Sequence, residues 1–330
     1  MGSRPVNFGA VPTVVPRAPS RKLQYADVAV TATAKEFAGV YRDKQYHAPD
    51  FECTLDRALD ASVSKVLLTG MRLADVASNA AIARSRPSQC FITAGVHPYH
   101  ALEIEQGGQD YLQRLAGEVH ALRRQSPSPL AAFGELGLDY DRLQYAGKET
   151  QREAFKAQLD LYVSEKFDLP LFLHCRSAFE DFVEIITPYT PLLRRRGLVH
   201  SFVGSTDQMQ KLVELGFDIS VNAFSFSDEE SLKMVADVPL HRLQIETDSP
   251  WGYLPDASEL VKRYCANASQ LPLAKKRNKW ESRCMVKERN ESCMIERIAF
   301  IVAGLKGITI EEVADRAWEN SIQMFSLERS

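Results

Sequence analysis

Ala131-Ala132-Phe133-Gly134-Glu135-Leu136-Gly137-Leu138-Asp139 is a short apolar run that passes directly into a polar end. Read as a strand, 131–134 has seven counterparts, at 27–31, 65–70, 90–95, 171–174, 198–201, 218–221 and 243–247. Between them lie longer segments whose apolar positions recur at three and four, for instance 50–62, 109–124, 149–166 and 206–215, which predicts helices. Strand-like runs alternating with helices are the pattern of repeated βα units and a parallel sheet. Eight units predict an α/β fold, a single (β/α)₈ TIM barrel. A basic, irregular stretch at 262–289 follows the last run, and two further helices, at about 292–305 and 310–325, are expected to complete the outer ring. No internal repeat and no linker to a second domain is evident.

A chain of 330 residues suits one barrel with additions. The net charge of -3 provides no general attraction to phosphate, so any nucleic-acid contact must come from a local basic surface. The cysteines are scattered without a Cys-x-x-Cys pair, as expected in a reducing compartment. No apolar run reaches the roughly twenty residues that span a bilayer, and no secretory signal pattern opens the chain. A soluble protein of the cytoplasm or nucleus, with no membrane contact, is expected. From Met1 to about Lys22 four prolines and three arginines occur without an acid. Residues 1–24 are therefore expected as a disordered, dispensable tail, and 25–330 as the barrel domain. The prolines weigh against reading the tail as an amphipathic transit peptide.

In such barrels the chemistry sits at the carboxyl ends of the strands. Those ends here carry His97, Glu135 and Asp139, His174-Cys175-Arg176, His200, and Glu246-Thr247-Asp248, with His100 nearby. Imidazoles and carboxylates converging on one mouth predict a metal site, and the mixture leaves Mg²⁺, Mn²⁺ and Zn²⁺ all open. Buried histidines satisfied by backbone are the plainer alternative for His174 and His200. His97, followed by Pro98, either shapes a loop or meets a substrate phosphate or leaving group. Arg176 suits a bidentate phosphate contact or an ion pair with Asp139 or Glu246. Those two acids are expected to orient ligands and loops rather than to bind metal. Cys175 should point away from the site.

Gly134 to Asp139, Leu173-His174-Cys175-Arg176, His200-Ser201-Phe202-Val203-Gly204 and Ile245-Glu246-Thr247-Asp248-Ser249-Pro250 closely resemble, in order, the signatures of TatD-type deoxyribonucleases. Gly95-Val96-His97-Pro98 and Arg289-Asn290-Glu291 look like two more. The resemblance runs from about Asp27 to Phe325 and implies two divalent ions and hydrolysis of DNA phosphodiesters, as a 3′ to 5′ exonuclease with endonuclease action besides. It implies Glu135 as the bridging metal ligand, His174 and His200 completing one site, and Asp248 belonging to the other. Asp248 is further suited to take the proton of the attacking water. Many members begin with His-x-His at the end of strand one, where this chain reads Thr31-Ala32-Thr33. Hydroxyls are poor ligands, so the ion on the Asp248 side is expected to be weakly held. The usual Asn-Glu-Pro is here Asn290-Glu291-Ser292.

Two other functions fit parts of the pattern. An amidohydrolase cleaving a C–N bond has similar ligands but commonly adds the His-x-His pair and a bridging lysine. A scaffold with one degraded metal site is supported only by Thr31 and Thr33. For the nuclease the expected partner is DNA, single-stranded or frayed at its ends, bound by a monomer. Trp280, inside the run Lys275, Lys276, Arg277, Lys279, Arg283, Lys287 and Arg289, is expected to stack on an unpaired base, with a solvated loop as the plainer reading. Phe202, Phe224, Phe226, Trp251 and Tyr253 compete for that role.

Overall fold

The computed structural model describes Pro12 and residues 14–328. Its strands are β1 (Tyr25–Val30), β2 (Val40–Tyr41), β3 (Lys44–Gln45), β4 (Val63–Leu68), β5 (Cys90–Ala94), β6 (Leu130–Asp139), β7 (Leu171–Arg176), β8 (Gly197–His200), β9 (Asp218–Val221), β10 (Leu243–Ile245), β11 (Ala274–Lys275) and β12 (Met285–Val286). The helices are α1 (Phe51–Asp60), α2 (Leu73–Ser85), α3 (Ala101–Arg123), α4 (Lys148–Ser164), α5 (Phe179–Ile186), α6 (Thr206–Glu214), α7 (Glu229–Asp237), α8 (Glu259–Tyr264), α9 (Ile295–Lys306) and α10 (Ile310–Phe325). Eight strands form one sheet in the order β1-β4-β5-β6-β7-β8-β9-β10, the (β/α)₈ barrel class. Each of the eight runs expected from sequence falls on one of these strands. The stretch at 262–289 is not wholly irregular, because it contains the end of α8 and the short parallel pair β11–β12.

The elements group into two compact units. Among the described residues, the first comprises Pro12, 14–66, 203–206 and 221–321, and the second 67–202, 207–220 and 322–328. In the first, β1 is buried along its whole length, and the chain just past β10 lies beside its end. Val30 bridges Ser249 in parallel, the Thr31 amide donates to the Ser249 carbonyl (2.9 Å), and the Asp248 amide donates to that of Ala29 (3.1 Å). Helix α9 is apolar nearly all round because it is covered on several sides, by α7, α8, β1 and β10. Pro12 and 14–24, assigned by composition to a disordered tail, also contact this unit. The Tyr264 hydroxyl donates to the Pro12 carbonyl (2.6 Å), Asn267 Nδ2 donates to the Pro16 carbonyl (2.9 Å), and Pro16 is buried. Proline carbonyls remain acceptors, so a segment poor in amides can still be held by donors from its neighbours.

The second unit is built around β6, whose ten residues are all buried. Its pairing with β7 shifts between Gly134 and Leu136. Both glycines of the opening motif sit at a φ of 147°, in a region that disfavours side chains. A Cβ on Gly137 would lie 1.9 Å from the His174 carbonyl oxygen, and one on Gly134 2.2 Å from that of Phe172. The motif is glycine-rich because β6 and β7 approach too closely for any larger residue. Phe133, Phe155, Tyr162, Phe167, Phe172 and Phe182 fill this core, each stabilising it by about 2–3 kcal/mol on burial.

Candidate active site

Glu135 enters the second unit from the bulged part of β6 and is almost wholly buried. Its Oε1 has three imidazoles around it: Nε2 of His200 at 2.6 Å, Nδ1 of His174 at 2.9 Å and Nε2 of His97 at 3.3 Å. The register explains the meeting, since His174 on β7 pairs with Gly137 on one side and His200 on β8 on the other. Burial opposes a charge on Glu135, yet His200, His97 and His174 together hold its pKa well below the usual carboxylate range. An ionised, desolvated carboxylate ringed by imidazole is a ready ligand set. His97, Glu135 and His174 each bring one donor atom within 4.8 Å of the others, and His200 Nε2 stands 3.2 Å from His174 Nδ1.

The outer nitrogens separate the roles of these histidines. His174 Nε2 faces Asp139 Oδ2 at 3.1 Å, with Asp139 at the end of the same long strand. Burial acts against a proton on His174, but the bonds to Asp139 and Glu135 raise its pKa. For Asp139 burial acts upward, and His174 nonetheless brings its pKa below the ordinary value. A proton shared with Asp139 on Nε2 leaves Nδ1 free to coordinate. His97 is arranged in the opposite sense. Its Nδ1 accepts from the Tyr99 amide (3.1 Å), so Nε2 carries the ring hydrogen and points it at Glu135. Burial pushes the pKa of His97 down to about 3, which keeps the ring neutral. In this tautomer His97 is a hydrogen-bond donor rather than a ligand.

Sequence reading did not single out the supports of this cluster. Gln151 and Gln158 lie two turns apart on α4, both buried. Gln158 accepts from the Val96 amide (2.8 Å) and donates to its carbonyl (3.0 Å), fixing the chain beside His97. Gln151 does the same for Asp139, at 2.8 and 2.9 Å. Two glutamines seven apart are a visible signal, but an exposed helix face produces the same spacing. Arg176 Nη2 donates to the carbonyl and hydroxyl oxygens of Ser201, both at 3.3 Å, and Ser201 has a φ of 48°. Cys175 is buried, and burial pushes its thiol up to about 12. His100 faces Glu103 at 3.4 Å.

Asp248 and Glu246 belong to the first unit. Asp248 has a φ of 57°, and the loop around it is pinned by Asn290, whose Nδ2 donates to the carbonyls of Thr247 (2.9 Å), Trp251 (2.6 Å) and Gly252 (3.2 Å). Glu246 is buried and accepts from Asn222 Nδ2 at 2.9 Å. Asp27, another residue the sequence reading passed over, is fully buried and accepts from the Thr247 amide (2.9 Å) and hydroxyl (2.6 Å). Desolvation pushes the pKa of Asp27 up to about 6 despite those bonds. Thr31 is buried and Thr33 exposed. Trp280 donates its indole N–H to the Cys284 carbonyl (3.0 Å) and stacks on His47, with ring centroids 5.0 Å apart. Part of the ring surface expected to receive a base is therefore covered by an imidazole.

The fold and the Glu135 cluster together mark a barrel hydrolase. Residues 32–326 match the family described as TatD related DNase. The chain is 37% identical over 314 residues to a Schizosaccharomyces pombe protein named deoxyribonuclease Tat-D, covering 93% of this chain and 97% of that protein. It is 32% identical to the 3′-5′ ssDNA/RNA exonuclease TatD of Erwinia tasmaniensis, over 91% of this chain and 99% of the relative. Among solved structures, a TatD family hydrolase of Entamoeba histolytica superimposes with a TM-score of 0.82 at 29% identity, covering 94% of this chain and all of the other. An uncharacterized amidohydrolase of Saccharomyces cerevisiae does so with a TM-score of 0.85 at 29% identity, covering 92% and 100%. The chain belongs to the TatD-related DNase family and is a hydrolase.

Proposed function

We propose that this chain is a divalent-metal-dependent deoxyribonuclease that shortens single-stranded or frayed DNA from its 3′ ends, with endonucleolytic cleavage as a lesser activity. The observation that carries the proposal is the convergence of His174 Nδ1 and His200 Nε2 on Glu135 Oε1, at 2.9 and 2.6 Å. The two nitrogens are 3.2 Å apart, which suits one cation, because metal–nitrogen bonds of about 2.1 Å separate neighbouring ligands by about 3.0–3.4 Å. Glu135, His174 and His200 would hold one ion, and a carboxylate such as Glu135 can serve a second. Two such ions, Mg²⁺ in this reading with Mn²⁺ or Zn²⁺ as substitutes, would polarise the phosphate and acidify a bound water.

The chain's own residues take the remaining roles. Asp139 keeps the His174 proton on Nε2 and so keeps Nδ1 available. His97, neutral and carrying its hydrogen on Nε2, would offer a hydrogen bond to a phosphate oxygen or to the departing 3′ oxygen, which takes its proton from water. Arg176, directed at Ser201, would contact a phosphate oxygen through its guanidinium. Asp248 is proposed to take the proton of the attacking water, with Glu246 orienting its loop. Trp280 serves the substrate through its neighbours, as argued below.

Metal-free protein incubated with single-stranded and duplex DNA labelled at either end, followed by addition of Mg²⁺ or Mn²⁺, tests the whole reading. A ladder shortening from the 3′ end of the single strand is expected. Cleavage without added metal, or none with any metal, would overturn the proposal, and a ladder growing from the 5′ end would overturn its polarity.

A further inference from the structure

We propose that the first unit carries a separate surface for single-stranded polynucleotide, made by the β2–β3 hairpin and the β11–β12 ribbon. It rests on the nuclease reading and adds to it a place where the strand is held. The groove between these elements has a volume of about 570 Å³ and is lined by Tyr41, Arg42, Tyr46, Lys276, Arg277 and Lys287, among others. Arg289 also lines it but is neutralised by Asp50 and Glu291, and Glu288 is the one acid on its walls. Such a cationic cluster on a chain of net charge -3 is a local feature, the kind of patch that phosphate binding requires.

Charge alone would describe a solvated loop; the aromatic rings set this groove apart. The Arg277 guanidinium lies over both tyrosines, 5.2 Å from the Tyr41 centroid and 4.6 Å from that of Tyr46. The two rings meet edge to face at 6.0 Å, and His47 stacked on Trp280 backs them. Arg277 is thereby held against the two rings, with N–H donors for phosphate and a guanidinium on which a base can pack. Arg42, Lys276 and Lys287 are exposed, and among the described residues none of them is paired with an acid. Arg42 and Asp43 occupy the two central positions of the hairpin turn at φ of 50° and 58°. Asn or Gly suits that geometry, so the turn itself does not call for arginine there. The Lys287 backbone N–H donates to the Lys275 carbonyl (2.8 Å), which sets Lys287 beside Lys276. Cations interleaved with rings along one groove suit a flexible strand with exposed base faces, because a duplex hides those faces. Trp280 then acts as a buttress, and Tyr41 and Tyr46 hold in place the Arg277 guanidinium against which a base packs.

The test is binding of the full-length chain, in excess chelator so that nothing is cleaved, to a fluorescent twenty-nucleotide oligothymidine. The triple variant Arg42→Glu, Lys276→Glu, Lys287→Glu should bind at least ten-fold more weakly. Its plot of log affinity against log salt should be shallower by about 2, since each single-strand phosphate contact contributes about 0.7. Wild type should prefer the oligothymidine to an abasic strand of equal length, and Tyr46→Ala should remove that preference. Unchanged affinity and salt slope in a triple variant with a normal melting curve would overturn the proposal. So would displacement of the oligonucleotide by polyglutamate of equal charge, which would mark the groove as an acidic-peptide site. Binding without cleavage once metal is restored would sink the nuclease reading and leave this one standing.

Discussion

Glu135 is a buried acid held ionised by its neighbours, and it meets His97, His174 and His200 together. Glu135→Ala should reduce hydrolysis by on the order of 10³-fold or more while the protein stays folded. Substantial residual turnover with Mg²⁺ would remove it from the site. Asp139→Ala acts differently, because it frees the outer nitrogen of His174 without touching the inner one. Metal affinity should fall by about 10–100-fold, and excess Mn²⁺ should recover most of the rate. A variant that binds metal normally would refute the link. Asp27 leads to a pH dependence. Its folded pKa of about 6 lies above the value of about 3.8 expected when exposed, so the native state binds its proton more tightly than the unfolded chain. The stabilisation is complete below about pH 4 and is lost as pH rises through about 6, a difference of roughly 3 kcal/mol. Chemical denaturation of wild type and Asp27→Asn between pH 4 and 7 checks this: the variant should lack that slope, and parallel curves would count against it.

At the scale of elements, α4 is the clearest case of sequence pattern and tertiary role diverging. Its helical period is readable from 149–166, but Gln151 and Gln158 look solvent-facing until the strand ends they hold are in place. Gln158→Met should leave the buried Val96 amide and carbonyl without partners, costing about 2–4 kcal/mol. It should also lower turnover by disturbing His97, and an unchanged melting temperature would contradict the assignment. In the first unit, α1 is fastened by ions rather than by apolar packing alone. Asp50, just before it, makes paired bonds of 2.7 and 2.6 Å with Arg289, and Arg57 within it bonds Glu291 at 2.7 Å. Asp50→Ala leaves Arg289 paired with Glu291 alone and removes two charge-assisted bonds, for which about 2–3 kcal/mol of lost stability is expected by urea titration. The Arg289-Asn290-Glu291 motif, noticed in the sequence as a signature, thus reads structurally as a clamp: Asn290 pins the loop of Asp248 while its neighbours tie down α1.

Over the whole molecule, the order of eight strands was readable because each buried strand must be apolar and each intervening helix must show one apolar face. For the amino-terminal stretch the structure adds contacts that composition does not report, since composition tells what a segment can bury and not which donors its carbonyls will meet. Residues 1–11 lie outside the described residues, whereas Pro12 and Pro16 cover Tyr264 and Asn267. Removing residues 1–22 should therefore lower stability by about 1–3 kcal/mol relative to removing residues 1–11. Equal melting temperatures for the two truncations would restore the view of a dispensable tail.

Strand order and the identity of Glu135, His174, His200 and Asp248 as candidates were determined by the sequence, because periodicity and residue chemistry are local properties. Which nitrogen of each histidine faces Glu135 was not, nor was the donor role of His97, the clamp of α4 glutamines, or the capture of Trp280 by His47. Those depend on atoms brought together from positions far apart in the chain, where a few tenths of an ångström decide whether a ring nitrogen carries a proton or offers a lone pair.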